Sequence, residues 1–491
     1  MSALLPGLPN NAFWRIFLKI CTIPHPSGHE AALRDDLADA ARKAGLGVRV
    51  DARGNLAIDR PATPGCEHFP TVILQGHLDM VPQAATGVSF DFERNPIAPI
   101  VEGEWMTTGN RTTLGADDGV ALAGAMELLT DPTLHCGALR ALFTVEEETG
   151  LGGAADLDPT FLDGDILFNL DSGAGGVTAG CAGGTRSEGC CAVPKATPTP
   201  GNIGVTIKIS HLHGGHSGSD IHRNFGNANV ILIALLREFP ALELSAISGG
   251  TLDNALSRDA EASGALPPEL LERLQERARV LAAELNRTLE HDPARPITVA
   301  VATGTTPGAV WPGSRQQELL AMLASLPAGL LERSADGASE TSANLAVIKG
   351  QAGESFRVVE HMRSLFNAKR EALAESVLDK MRRGGLNARI VSQYSGWSPA
   401  TDSPLAHFAR QVYCDVVGHE PEFRVTHGGL EPGIFSGKNP RLAMLSFAPE
   451  HIDLHSPAER LNIASVAEFR ALLRALVERA GEIAAPENAG K

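Results

Sequence analysis

Five short segments hold histidine and carboxylate side chains in patterns suited to a pair of metal ions. In chain order they are Gly76-His77-Leu78-Asp79, Gly115-Ala116-Asp117-Asp118-Gly119, Val145-Glu146-Glu147-Glu148-Thr149-Gly150, Asn169-Leu170-Asp171-Ser172 and His455-Ser456-Pro457. The first four follow or end apolar, strand-like runs, and the fifth lies near the C-terminus. His77 and Asp79 project to one side of an extended backbone. His77 can then bind metal through one ring nitrogen while Asp79 accepts from the other and fixes the tautomer; the plainer reading is a surface turn. Asp117-Asp118 sits between glycines that permit a tight turn, just before a helix. One carboxylate there can bridge two cations, or the pair can simply be acidic residues favoured at a helix start. Three adjacent glutamates at a strand end are costly unless water or cations neutralise them. The Thr-Gly-Leu-Gly-Gly that follows turns the backbone sharply and argues against a plain solvated loop. Asp171 ends another buried run, and open parallel sheets gather ligands at the carboxyl ends of their strands.

The elements that must position these residues can be read from hydrophobic period. Thr71–Gln75, Leu139–Val145 and Asp165–Leu170 are short apolar runs of the buried-strand kind. Val48–Val50 and Asn55–Ile58 read as a hairpin around Arg53-Gly54, and Gly119–Leu129 as a helix. Alternating strands and helices predict an α/β domain with a mainly parallel sheet. At 491 residues the chain is too long for one core. After Cys191 the character changes: Val193–Asn202 is Pro-rich and reads as a linker, and strand–helix pairs follow. From about residue 387 the pattern, with Ala388–Gln393, Leu442–Phe447 and a final helix, resembles the first part again. The expected organisation is a catalytic domain over residues 1–192 and 387–491, interrupted by an inserted α+β lid over 193–386. The tail after Ala484 is expected to fray.

A net charge of -16 disfavours nucleic acid and anionic membranes as partners. The seven cysteines form no C-x-x-C pair and read as reduced thiols of a cytoplasmic protein. No apolar stretch reaches the ~18–20 residues of a membrane helix, and the N-terminus lacks the features of a signal peptide.

The strings ICTIPHPSGHE, LQGHLDMVPQ, LGADDGVALA, TVEEETGLGGA, NLDS, CAGG, HGGHSGSDIH, GGTLDNALSR, MRSL, YSGWSP, HGGLEPGIF and HSPAERLNI occur in that order between about residues 20 and 465. In combination they resemble the M20 family of co-catalytic zinc peptidases, and within it the Xaa-His dipeptidases. The resemblance implies a di-zinc peptidase domain and assigns roles by position. His77, Asp117, Glu148, Asp171 and His455 would hold two zinc ions per chain, with Asp117 bridging them; cobalt or manganese would also support activity. Counting back from Gly150 in the pattern E-E-x-G makes Glu147 the general base and Glu148 the ligand, leaving Glu146 a bystander. Asp79 would orient His77. His216 of the GGHSG string would reach from the lid, of the same or a partner subunit, to stabilise the oxyanion. Asn254 and Arg363 match positions suited to gripping the substrate's terminal carboxylate. His427 would line the site with Glu431 in support. The implied activity is hydrolysis of small unblocked dipeptides, Xaa-His included, by a homodimer joined through the lid. Alternatives on the same scaffold are an N-acyl-amino-acid amidohydrolase and a catalytically silent metal-binding assembly protein. Asp118 stands where many relatives have Asn, and Pro432 where some have Cys, which bears on dipeptide preference.

Overall fold

Apolar strands that cannot bury both faces alone associate as the centre of an eight-stranded sheet. Leu139–Thr144, Val72–His77, Ile166–Asn169 and Ala443–Ser446 run parallel there, in that spatial order. The antiparallel hairpin Gly47–Val50/Leu56–Arg60 extends one edge, and Val177–Cys181 and Phe423–Thr426 extend the other. Every residue of Val72–His77 is buried, as a strand covered on both faces requires. The helix Ala116–Thr130 is buried on nearly every side. It lies so close to the sheet that a Cβ on Gly76 would run into the side chains of Ala121 and Asp118. Gly119 and Gly124 admit Phe17 and Phe469 in the same way, so flanking helices pack onto it.

The computed structural model describes residues 4–172, 176–335 and 337–483, so the tail after Ala484 lies outside it. The chain divides into two compact units: residues 1–180, 399–425 and 430–491 form the first, and 181–398 with 426–429 the second. The first holds the sheet just described. The second is built on a nine-stranded sheet whose pairings are antiparallel. Helices Ala228–Arg237, Leu271–Thr288, Gly313–Ser325 and Asn367–Arg383 bury Leu232, Leu274, Leu319 and Val377 in its core.

The second unit begins earlier and ends later than the 193–386 expected. Gly183–Ala192 pairs with Ser355–Ser364 on one side and with Asn387–Tyr394 on the other. Small and polar residues in GGTRSEGCCA hide the strand period, and Glu188 is held there by Arg357 and Arg389. Ala388–Gln393 therefore belongs to the second unit's sheet and not to the first domain. The Pro-rich stretch is no free linker either: Val193 is buried and Ala196 bridges to Val310. The seven cysteines are free thiols. Among the described residues no helix is long and apolar enough to cross a membrane.

Candidate metal centre

Parallel register brings the predicted ligands to one edge of the first unit's sheet. His77 pairs with Thr144, and Gln75 with Asn169. The segments that follow Thr144 and Asn169, carrying Glu147, Glu148 and Asp171, thus emerge beside the end of the His77 strand. The helix Ala116–Thr130 starts at the same edge, where Asp118 Oδ2 accepts the His77 backbone N–H at 3.1 Å. Asp117 lies one residue before it. His455 arrives on a turn in which it and Asp453 both adopt positive φ, a conformation costly for residues other than glycine.

These side chains form groups that could hold a metal ion: His77 with Asp117 and Asp171, Asp117 with Glu148 and His455, and His77 with Glu147 and Glu148. His77 Nε2 is 3.1 Å from Asp117 Oδ1 and 3.7 Å from Asp171 Oδ1. His455 Nε2 is 3.2 Å from Asp117 Oδ2 and 2.9 Å from Glu148 Oε1. Asp117 therefore offers one oxygen to each histidine. His77 Nδ1 faces a carbonyl oxygen at 2.9 Å and so donates its proton there. Nε2 faces the carboxylates of Asp117 and Asp171, whose hydrogen bonds outweigh burial and hold His77 well above the ordinary imidazole range; a cation bound there would take the place of the Nε2 proton. The donor set fits two divalent ions sharing Asp117.

Electrostatics point the same way. Burial, reinforced by the Asp117 charge, pushes Asp171 up to about 7. Burial holds Glu147 well above the ordinary carboxyl range, and the charges of Asp171, Glu148 and Glu431 add to it. Glu148 is raised by burial and by Asp117, and Asp118 by burial and by Asp171. Hydrogen bonds to Asp117 and Glu148 lift His455 to about 11. Burial and mutual repulsion favour protons on Asp118, Glu147, Glu148 and Asp171, and bound cations would replace those protons.

The neighbours of the ligands depart from expectation in instructive ways. Asp79 does stand behind His77, but the acceptor at 2.9 Å is its backbone oxygen, while its carboxylate lies 3.5 Å from Nδ1. That carboxylate instead accepts the amides of Glu147 at 3.0 Å and Glu148 at 3.2 Å, and the Ser27 hydroxyl at 2.8 Å. It thereby shapes the turn that presents both glutamates. Ser27 lies in the string ICTIPHPSGHE and carries no role from the sequence. Glu146 turns outward to Arg53. Glu431 does not support His427. It is fully buried in the first unit, accepts from Thr144 Oγ1 at 2.9 Å and from Gln75 Nε2, and is pushed up to about 8, chiefly by burial. His451 is also buried close enough to feel the Asp117 charge; nothing in its local sequence marked it.

The remaining predicted residues, His216, Asn254, Arg363 and His427, all belong to the second unit. A short bridge joins His216 to Ala255, and Ser217 N donates to Asn254 O at 2.7 Å, so the GGHSG and DNALS strings run side by side. Arg363 is buried and donates to Tyr394 Oη at 2.7 Å. Its strand neighbour Ser342 meets His427 Nε2 at 2.7 Å, which groups Arg363 with His427. Burial and the Arg363 charge lower His427 to about 4, so its imidazole is neutral.

Comparison with known proteins places the whole chain in a family. The model of peptidase family M20/M25/M40 matches residues 73–479. The cytosol non-specific dipeptidase of Escherichia coli is 34% identical over 481 residues, which is 96% of this chain and 98% of that protein. The crystal structure of the aminoacylhistidine dipeptidase from Vibrio alginolyticus superposes with a TM-score of 0.85 and 34% identity, covering 99% of each chain. An aminopeptidase from Bacillus cereus, at 17% identity and a TM-score of 0.60 over 96% of this chain and 98% of that one, shares the fold.

Proposed function

The chain belongs to peptidase family M20/M25/M40, and we propose that its reaction is the metal-dependent hydrolysis of unblocked dipeptides, Xaa-His among them. The observation that carries this reading is Asp117, whose two oxygens face the two histidine-bearing ligand groups, with Glu147 beside them. The names of relatives that match nearly the full length supply the substrate class. Two zinc ions are the proposed cofactors, with cobalt or manganese compatible with the nitrogen and oxygen donors. When bound, such ions lower the pKa of a water and polarise a peptide carbonyl.

The protein's own residues do the rest. Glu147 takes the proton from the attacking water and passes it to the leaving amine. Glu148 and His455 hold one side of the centre, and His77 and Asp171 the other. His216 donates a hydrogen bond to the developing oxyanion. Arg363 and Asn254 hold the substrate's terminal carboxylate, for which arginine's paired donors are suited, and His427 lines that end. The second unit acts in this scheme as the lid and the dimerisation element, and the protein works in the cytoplasm.

Metal analysis together with a panel of free and N-acylated dipeptides, with and without chelator, tests the proposal. Free dipeptides should be hydrolysed, activity should vanish with chelator, and zinc should restore it. Hydrolysis confined to N-acylated substrates, or full metal loading with no hydrolysis, would overturn it.

A further inference from the structure

We infer that Glu459 is a positioning residue for the metal centre: it ties the turn carrying His455 to the loop carrying Asp117. This rests on the metal-binding reading above. Glu459 is 2% exposed, and it lies four residues beyond His455 in HSPAERLNI. Its Oε2 accepts the backbone N–H of Leu114 at 2.7 Å and of Gly115 at 3.2 Å. Its Oε1 accepts Ala116 at 2.9 Å and Asp117 at 3.3 Å. Leu114 and Gly115 precede the helix, and the backbone angles of Asp117 and Asp118 are not helical, so these four N–H groups lie before the regular turns and no helix carbonyl serves them. The cap residue Gly115 has no side chain to serve them, and its left-handed φ of 70° turns consecutive amides into one concavity. A carboxylate more than three hundred residues away fills it.

The other end of the clamp is equally fixed. Glu459 N donates to Ser456 O at 3.1 Å, closing the turn after His455. The next residues, Arg460–Asn462, form a strand that pairs with Trp105–Thr107 and with His451–Ile452. Through one side chain, the Asp117 backbone and the His455 turn are held in a single frame, in which Asp117 Oδ2 and His455 Nε2 stand 3.2 Å apart. Adding a carboxylate to an already acidic centre makes physical sense only if it answers those four amides. Glutamine could not: one end would accept, but the other would turn an NH2 toward two N–H donors.

Glu459→Gln and Glu459→Asp in the full chain test this, using cobalt(II) titration of the metal-free protein followed by visible absorption, and thermal melting with and without cobalt. Wild-type protein should take up two ions. Glu459→Gln should bind at least one of them about 10–100-fold more weakly, and the rise in melting temperature on adding cobalt should shrink. Glu459→Asp, which keeps the charge at shorter reach, should recover part of the loss. If Glu459→Gln does not fold, a weakened cobalt affinity in Glu459→Asp carries the same reading. A merely structural cap would lower both melting temperatures equally and leave cobalt affinity unchanged; that result overturns the proposal. A wild-type chain that binds no cobalt would overturn the metal reading itself, and this inference with it.

Discussion

Glu147→Gln keeps the size of the side chain and removes its charge and basicity. Loss of a general base costs about 10²–10⁴ in kcat, or about 3–5 kcal/mol on the barrier. The structure adds a second, opposite effect. A carboxylate oxygen of Glu147 lies within 4.8 Å of a ring nitrogen of His77 and of a carboxylate oxygen of Glu148. At that separation a like-charge carboxylate pair costs about 3 kcal/mol in an effective dielectric of about 20. Burial first, and then the charges of Asp171 and Glu148, raise the Glu147 carboxyl, so the folded metal-free chain keeps a proton that the unfolded chain releases. Stability from this group therefore falls as pH rises from the ordinary carboxyl value through the raised one. Glutamine does not titrate. Metal-free Glu147→Gln should melt higher than wild type at about pH 8.5 and close to wild type at about pH 5. Steady-state hydrolysis of a free dipeptide, metal analysis and calorimetry read the three quantities. The expected set is a collapsed kcat, unchanged metal content and a higher alkaline melting temperature without metal. A kcat within tenfold of wild type would refute the base assignment, and loss of one bound ion would show that Glu147 is a ligand.

The same linkage governs the whole centre. Asp171 at about 7 and Glu431 at about 8 are both raised, so chelated protein should lose stability between about pH 4 and pH 8, and added metal should restore most at the alkaline end. Melting curves across pH with and without chelator check this, and a metal effect that shrinks with rising pH would contradict it. Asp79→Asn leaves one carboxyl-side acceptor facing the Glu147 and Glu148 amides and the Ser27 hydroxyl. It should weaken metal binding about 10–100-fold in a competitive chelator titration, and unchanged affinity would mean that the turn holds its shape without the carboxylate. Gly76→Ala places a methyl group against Ala121 and Asp118. It should cost about 1–3 kcal/mol in denaturant unfolding, and a neutral substitution would show that the helix can back away from the sheet.

The central strands were legible because a strand buried on both faces must be continuously apolar, and Thr71–Gln75, Leu139–Val145 and Asp165–Leu170 are. The candidate ligands could be picked out because carboxylates at the ends of such strands have few inexpensive explanations, and the fold brings them into groups that could hold a metal ion. Gly183–Ala192 was not, since its glycines and polar residues owe their strand to the partners on either side. Glu431 was misplaced because sequence proximity to His427 suggested a partner, whereas the chain crosses from one unit to the other between them.

The residue types and their spacing by themselves determined what chemistry could be done: histidines and carboxylates at strand ends, glycines where the backbone must turn, and a family pattern that ordered them. Tertiary structure alone decided which of those groups face one another. Asp117 meets His455 across 338 residues of chain, and the amides of Glu147 and Glu148 converge on Asp79. Local sequence sets which conformations a segment can adopt. The direction of a lone pair or an amide dipole is set by the packed neighbours that hold the segment in place, and a metal centre depends on those directions.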